Sequence, residues 1–334
     1  MRTRLLLLAL AVLAGVAVVV GVIAFAGDGD GPDRTVPTTV PEPPFSIGLW
    51  GDAPYTAEQV PGTMAMIADM NAADLAFSVF DGDIKGGAPC ADRYYTEALA
   101  RFEAFTHPLV YVPGDNEWTD CLTGGHDPLE RLAHLRRTFF AAPESLGRRR
   151  MALERQEPPY VENTRWQMGG VVFVGLHVPG SNNGKVDDPT VPPAIADPAN
   201  AEFRARDAAN REWLTSSFAL ARRTQAAGVM VVIQANPGFE VPDPGLRAFL
   251  GADGFDSFLA TLRDEAVSFR KPVALVHGDT HTYRLDRPMR DTRGRPVPNF
   301  VRCETFGYPD VSWVKATVDQ RDPNLFRFEP QRLY

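Results

Sequence analysis

From Phe45 onward, short apolar runs of β character alternate with longer stretches of helical periodicity, and few folds satisfy that alternation. Strands are expected over residues 45–50, 75–80, 109–112, 170–176, 228–233 and 272–276. Helices are expected between them, over about 57–71, 92–105, 201–227 and 255–269, with a Pro- and Asn-rich loop at 179–198. Two later segments, 300–305 and 311–317, alternate as antiparallel strands do. The chain therefore reads as an α/β domain of βαβ units over 45–334, without an internal repeat. Hydrophobic residues make up 44% of it, enough for a full core. The formal charge of −8 argues against a nucleic-acid partner, because phosphate backbones demand concentrated Lys and Arg.

The N-terminus carries a second constraint. Arg2 and Arg4 precede an uncharged apolar run over residues 5–26. As a helix that run would span about 33 Å, enough to cross the hydrocarbon core of a membrane. A retained anchor is one alternative; a signal cleaved after Ala24-Phe25-Ala26 is another; a buried soluble helix is a third. Under the first two the arginines stay inside and the rest of the protein is exported. Residues 27–44 are rich in Gly, Pro and Thr and read as a tether. An exported chain permits disulfides. Of Cys90, Cys121 and Cys303, the first two follow candidate site loops and can brace them, with three unpaired thiols as the alternative.

Polar residues concentrate where the strands end. Gly51-Asp52, Gly82-Asp83 and Gly114-Asp115 each follow an expected strand, and Gly278-Asp279 follows a fourth, between His277 and His281. In open α/β sheets ligands bind beyond the carboxyl ends of the strands. Glycine is expected to permit the sharp turn that aims each acid into the cleft. One Gly-Asp is an ordinary turn. Four on one sheet edge would repel one another by several kcal/mol in a poorly solvated cleft, and a bound cation removes that penalty.

In order, Gly51-Asp52, Gly82-Asp83, Gly114-Asp115-Asn116-Glu117 and His277-Gly278-Asp279-Thr280-His281 resemble the motifs of the calcineurin-like metallophosphoesterases, D-x-H, G-D, G-N-H-[DE] and G-H-x-H. The resemblance covers the chain from Phe45 to its C-terminus. It implies a four-layer α/β/β/α sandwich, two face-to-face sheets flanked by helices, here behind an N-terminal transmembrane helix. It also implies two divalent metals about 3.5 to 4 Å apart and hydroxide attack on phosphorus. Carried over, one metal would be held by Asp52, Asp83 and His281. The other would be held by Asp83 as a bridge with Asp115, Asp279 and one of Gln234 or Asn236.

Histidines are missing from the pattern. Pro54 stands where D-x-H has its histidine, Asp115 and Asn116 replace Asn-His, and Asp279 replaces the first histidine of G-H-x-H. No histidine lies near Gln234-Ala235-Asn236-Pro237, where the family has one. The second site is then nearly all oxygen, which favours Mn²⁺, Mg²⁺, Ca²⁺ or iron over Zn²⁺. Catalytic roles fall on Asn116, Glu117 and His277. Asn116 can donate a hydrogen bond but cannot deliver a proton, which leaves His277 as the nearest acid; the bland alternative for His277 is a backbone hydrogen bond at a strand end.

Lys85 can meet a phosphate oxygen or lie in solvent. His177, Asn182 and Asn183 belong to a loop that either lines the substrate cleft or simply connects. Tyr55 stacks on a substrate ring or packs. The expected activity is hydrolysis of a phosphoester, in a phosphorylated small molecule or similar substrate, by a membrane-anchored or secreted enzyme outside the cytoplasm. The alternative is a catalytically impaired binding protein of the same fold.

Overall fold

The computed structural model describes residues 42–333. The expected membrane span at 5–26 and tether residues 27–41 lie outside the described residues; within them no helix is long and apolar enough to cross a membrane.

In chain order the first strands are β1 (Phe45–Trp50), β2 (Phe77–Phe80), β3 (Leu109–Tyr111), β4 (Glu154–Arg155), β5 (Thr164–Met168) and β6 (Val171–Gly175). They continue with β7 (Gly228–Val232), β8 (Val273–His277), β9 (Arg284–Asp286), β10 (Phe300–Glu304), β11 (Trp313–Val318) and β12 (Phe326–Gln331). Two sheets result, one in the order β12-β11-β1-β2-β3 and one in the order β4-β5-β6-β7-β8-β10-β9. Parallel pairing joins β1, β2 and β3 in the first sheet and β6, β7, β8 and β10 in the second. The flanking strands are antiparallel.

The twofold side-chain period of a strand decides how the sheets pack. Ile47, Leu49, Phe77, Val79 and Val110 from the first sheet meet Phe173, Met230, Val232, Ala274 and Val276 from the second in one buried cluster. The alternate residues of the second sheet, Val172, Val174, Val229, Val231 and Leu275, bury Leu214 and Phe218 of helix Pro193–Arg223 and Phe258 and Leu262 of helix Asp256–Phe269. On the outer face of the first sheet, Trp50, Phe80 and Tyr111 meet helices Val60–Ala72, Asp92–Phe102 and Pro128–Phe139. Strands buried on both faces read as unbroken apolar runs, which is why VVFVG and GVMVV show no alternation.

Several elements differ from expectation. Helix Pro193–Arg223 begins inside the expected loop and contains Pro198; Pro193 opens it at a position where a missing N–H costs nothing. Helix Pro128–Phe139 and strands β5 and β12 carry too few apolar residues to stand out in sequence. Cys90 and Cys121 form a disulfide, while Cys303 is a buried free thiol in the core between the sheets. The bridge closes a separation of 31 residues. Loop-closure entropy at that length is worth roughly 3 to 4 kcal/mol. Replacing Cys90 and Cys121 together by Ser is expected to lower unfolding stability by about that amount in urea titrations; an unchanged midpoint would show the bridge to be energetically idle.

Candidate metal centre

All the parallel strands of both sheets end at one edge, and the loops leaving β1, β2, β3, β7 and β8 meet there. The aspartates themselves make the turns. Asp52, Asp83, Asp279 and His281 have φ of 50°, 64°, 81° and 60°, a region that Asp and His enter more readily than most side chains. Glycine serves close approach instead. A Cβ on Gly114 would lie 2.1 Å from Asp83 Oδ1, and one on Gly278 would lie 2.1 Å from Asp52 Oδ2. Of the four glycines that precede the strand-end aspartates, Gly82 alone, at φ 112°, needs glycine for its backbone as well.

The side chains converge on one point, marked by the hydroxyl of Tyr55. Tyr55 Oη lies 3.0 Å from Asp52 Oδ1, 2.8 Å from Asp83 Oδ2 and 3.2 Å from His281 Nε2. Asn116 Nδ2 donates to Asp83 Oδ2 at 2.8 Å and to Tyr55 Oη at 3.2 Å. Asp52 Oδ1 and His281 Nε2 are 3.5 Å apart. The Tyr55 ring is stacked on Tyr308 at 5.7 Å and meets His281 edge-on at 5.1 Å. Sequence alone singled out this ring for stacking and missed its oxygen; the spacing Asp52-x-x-Tyr55 was the available signal.

Negative charge at the site is under-compensated. Asp52, Asp81, Asp83, Asp115 and Glu117 are all buried. Burial, and then Asp115, Glu117 and Asp52, hold the Asp83 carboxyl well above the usual carboxylate range. Burial and then the neighbouring Asp120 and Asp279 push Asp115 up to about 8, and burial pushes Asp279 to about 6. Asp81 Oδ1, Asp115 Oδ1 and Glu117 Oε2 are buried without hydrogen-bond partners. Such atoms carry a full desolvation cost unless a cation meets them. None of these orphaned oxygens belongs to Asp52, Asp83 or His281, whose side chains meet one another through Tyr55. Among the described residues, no group of three or more His, Cys, Asp and Glu side chains is arranged to hold a metal ion, so the expected two-metal centre is not formed by these side chains as they stand.

The second expected metal position is less complete. Asp115 Oδ2 accepts from Ser181 Oγ at 2.7 Å, and Asp279 Oδ2 accepts from the backbone N–H of Asn236 at 2.8 Å. The Asn236 side chain turns to its own loop, accepting from Gly238 N. Gln234 offers Asp83 its Nε2 at 3.3 Å and gives its oxygen to Gly180 N. Neither neutral side chain presents an oxygen to a shared ion. Ser181, from the loop that the sequence offered as a lining of the cleft, and Asp120, which the sequence reading missed, sit beside Asp115 instead, bonded to each other at 2.7 Å.

Other expected site residues turn inward. Lys85 is buried, and its ammonium donates to the carbonyls of Gly86, Gly87 and Asn116, leaving it no donor for a phosphate. Glu117 buttresses the second and third loops, accepting from Ile84 N and Tyr111 Oη through Oε1. His277 is fully buried, and burial lowers it to about 4, so near neutrality it is an uncharged imidazole whose Nδ1–H is given to the Gly278 carbonyl, not an imidazolium acid. Asn183 is buried against Arg206 and the Gly254 carbonyl. Asn182 accepts from Gly254 N and stays at the rim with Ser181, in a left-handed turn that spans Gly180–Asn183.

His177 is buried too, and its Nδ1 is 2.9 Å from Glu162 Oε1. Burial keeps His177 neutral, so it donates to the carboxylate as an uncharged imidazole. Burial works against the charge on Glu162, but the hydrogen bonds from His177 and Arg136 outweigh it and hold the carboxyl at about 2, against an ordinary 4.5. A depressed carboxyl stabilises the fold above its unfolded pKa, and that share is lost as pH falls from about 4.5 to about 2. It is worth roughly 3 kcal/mol. Glu162→Gln should therefore be less stable than wild type near neutrality and indistinguishable from it at about pH 2, read from denaturant midpoints across that range. A constant difference at every pH would refute this role for the ionised carboxylate.

No family model matches the chain, and no curated protein does. Among solved structures, a dimetal phosphatase from Danio rerio superposes on 86% of this chain and 96% of its own, with a TM-score of 0.51 at 12% identity. The two share a fold: mixed α/β with two sheets. A Vps29 point mutant from Entamoeba histolytica also aligns, over 86% of this chain and 99% of its own at 9% identity, but its TM-score of 0.27 is too low to bear on the fold.

Proposed function

We propose that this chain is a metal-dependent phosphoester hydrolase of the calcineurin-like type, acting outside the cytoplasm. The observation that carries it is the meeting of Asp52, Asp83 and His281, from three separate strand ends, around one point. The fold shared with a dimetal phosphatase is consistent with it. A divalent ion at that corner supplies the positive charge that polarises a phosphoryl oxygen. The chain's own residues do the rest. Asn116 gives its two amide hydrogens to Asp83 and Tyr55 and so fixes both at the site, and Ser181 and Asn182 form the rim beside Asp115. Asn116 cannot deliver a proton where the family has its histidine, so esters with good leaving groups are the favoured substrates.

Export is supported by the Cys90–Cys121 disulfide, which persists in oxidising compartments, and by the apolar run at 5–26 acting as anchor or cleaved signal. The reading as a catalytically impaired binding protein draws on one feature, the hydroxyl of Tyr55 standing at the focus of the site. Turnover of chromogenic phosphomonoesters and diesters with Mn²⁺, Mg²⁺ or Ca²⁺ separates the two. Metal-stimulated hydrolysis abolished by EDTA supports the enzyme; its absence with every metal supports the binding protein.

A further inference from the structure

The edge strands leave the sandwich open at one corner. β9 ends the second sheet and β12 ends the first. Leu285 of β9 stands opposite Cys303 of β10. Side chains paired across antiparallel strands share a face, so Leu285 turns toward the core between the sheets, where Cys303 is buried. Yet Leu285 is 45% exposed. Between it and Phe326 and Phe328 of β12 lies an open cleft of about 570 Å³, with Pro272 and Val301 also on its walls. Small-molecule sites enclose roughly 300 to 1,000 Å³. The cleft lies by the amino ends of β8 and β10, the opposite edge from the candidate metal centre.

The polar rim of this cleft carries a positive surplus. Arg270, Arg287 and Arg327 line it together with Asp286 and Asp322. Arg302 takes both oxygens of Asp286, and Asp322 accepts from the backbone N–H of Asn324 in its own turn. Arg327 has Glu329 at 3.5 Å. Arg287 spans the mouth, donating from Nη1 to the Pro298 carbonyl and from Nη2 to Asn324 Oδ1, and keeps further N–H groups over. Among the described residues neither Arg270 nor Arg287 is ion-paired to a carboxylate. We propose that the cleft binds a small amphiphile whose alkyl or aryl body covers Leu285 and Val301 and whose carboxylate or phosphate head meets Arg270 and Arg287. Guanidinium forks match the paired oxygens of such heads, and covering Leu285 removes apolar surface from water. A neutral guest would leave the arginines unused, and a cation would be repelled by them. Such binding needs neither metal nor turnover.

The test titrates the full chain by calorimetry with decanoate and with decyl phosphate, each below its micelle-forming concentration. Decanol and decyltrimethylammonium serve as the neutral and cationic counterparts. At least one of the anions should bind at a single site per chain, about tenfold or more tighter than decanol, and the cation should show no saturable binding. The tighter anion identifies the head. Arg270→Ala should weaken that anion about tenfold and leave decanol unchanged, because a hydrogen bond to a charged group is lost. Leu285→Glu should abolish anion binding by placing a carboxylate on the apolar wall. Both positions are exposed, so urea midpoints close to wild type are expected for the two variants. Decanol binding as tightly as the anions, or Arg270→Ala keeping wild-type affinity, overturns the anionic head. No saturable binding, or binding that survives Leu285→Glu, overturns the site. Hydrolysis at the opposite edge stands or falls separately.

Discussion

Asp83→Asn is expected to lose at least about a thousandfold in metal-stimulated phosphoester hydrolysis while the metal-free protein becomes more stable. The loss follows from position. Asp83 Oδ2 is the acceptor on which Tyr55, Asn116 and Gln234 converge, and removing its charge takes away the acid that the proposed metal centre depends on. Several kcal/mol of transition-state stabilisation go with it. The gain in stability follows from burial. Asp83 is held well above its ordinary range by desolvation and by Asp115, Glu117 and Asp52, so its ionised form opposes folding. A raised carboxyl contributes its stability below the unfolded pKa and loses it as pH rises through the folded value. The neutral amide escapes that loss. The melting temperature of Asp83→Asn in EDTA should therefore exceed wild type by a few degrees near neutrality and match it at about pH 3. Equal hydrolysis by variant and wild type across several metals would end the hydrolase proposal. A lower melting temperature near neutrality would end the electrostatic account.

Arg206→Ala should cost about 3 to 5 kcal/mol, on the order of 10 °C in melting temperature, although residue 206 lies on a helix away from the chemistry. The guanidinium is fully buried. Nη1 donates to the His177 carbonyl and to Asn183 Oδ1, Nη2 to the Asn183 carbonyl, and Nε to Glu202. It also lies over the Trp118 ring. Truncation leaves those acceptors buried without a donor and Glu202 without its partner. The same contacts hold the end of the turn at Gly180–Asn183, from which Ser181 reaches Asp115. Hydrolysis should fall together with stability, measured at a temperature where the variant remains folded. A melting temperature within about a degree of wild type would show that the turn holds itself.

Much of the β framework is legible because each strand is a local event. The expected strand at 45–50 is β1, that at 109–112 runs one residue beyond β3, and that at 272–276 is shifted by one residue from β8. Acids at the strand ends were equally readable, since an apolar run followed by Gly-Asp is a local pattern. What failed was the fate of long polar side chains. Lys85 follows an acid that the sequence marks, yet its ammonium turns to three backbone carbonyls. His177 and Asn183 sit in a loop of polar composition and are nevertheless wholly buried, because Arg206 arrives from a helix more than twenty residues away to satisfy them.

The amino-acid order alone determined which residues stand at the carboxyl edge of the strands, because strand period, turn residues and apolar runs act over neighbouring positions. Only the tertiary structure decided which atoms face each other there. Tyr55 meets Asp83 and His281 across 28 and 226 positions of chain. Such a meeting depends on left-handed turns at single aspartates and on glycines thin enough to let one loop approach another. Those features set direction within ångströms, and direction is a property of packed neighbours, which no short stretch of sequence contains.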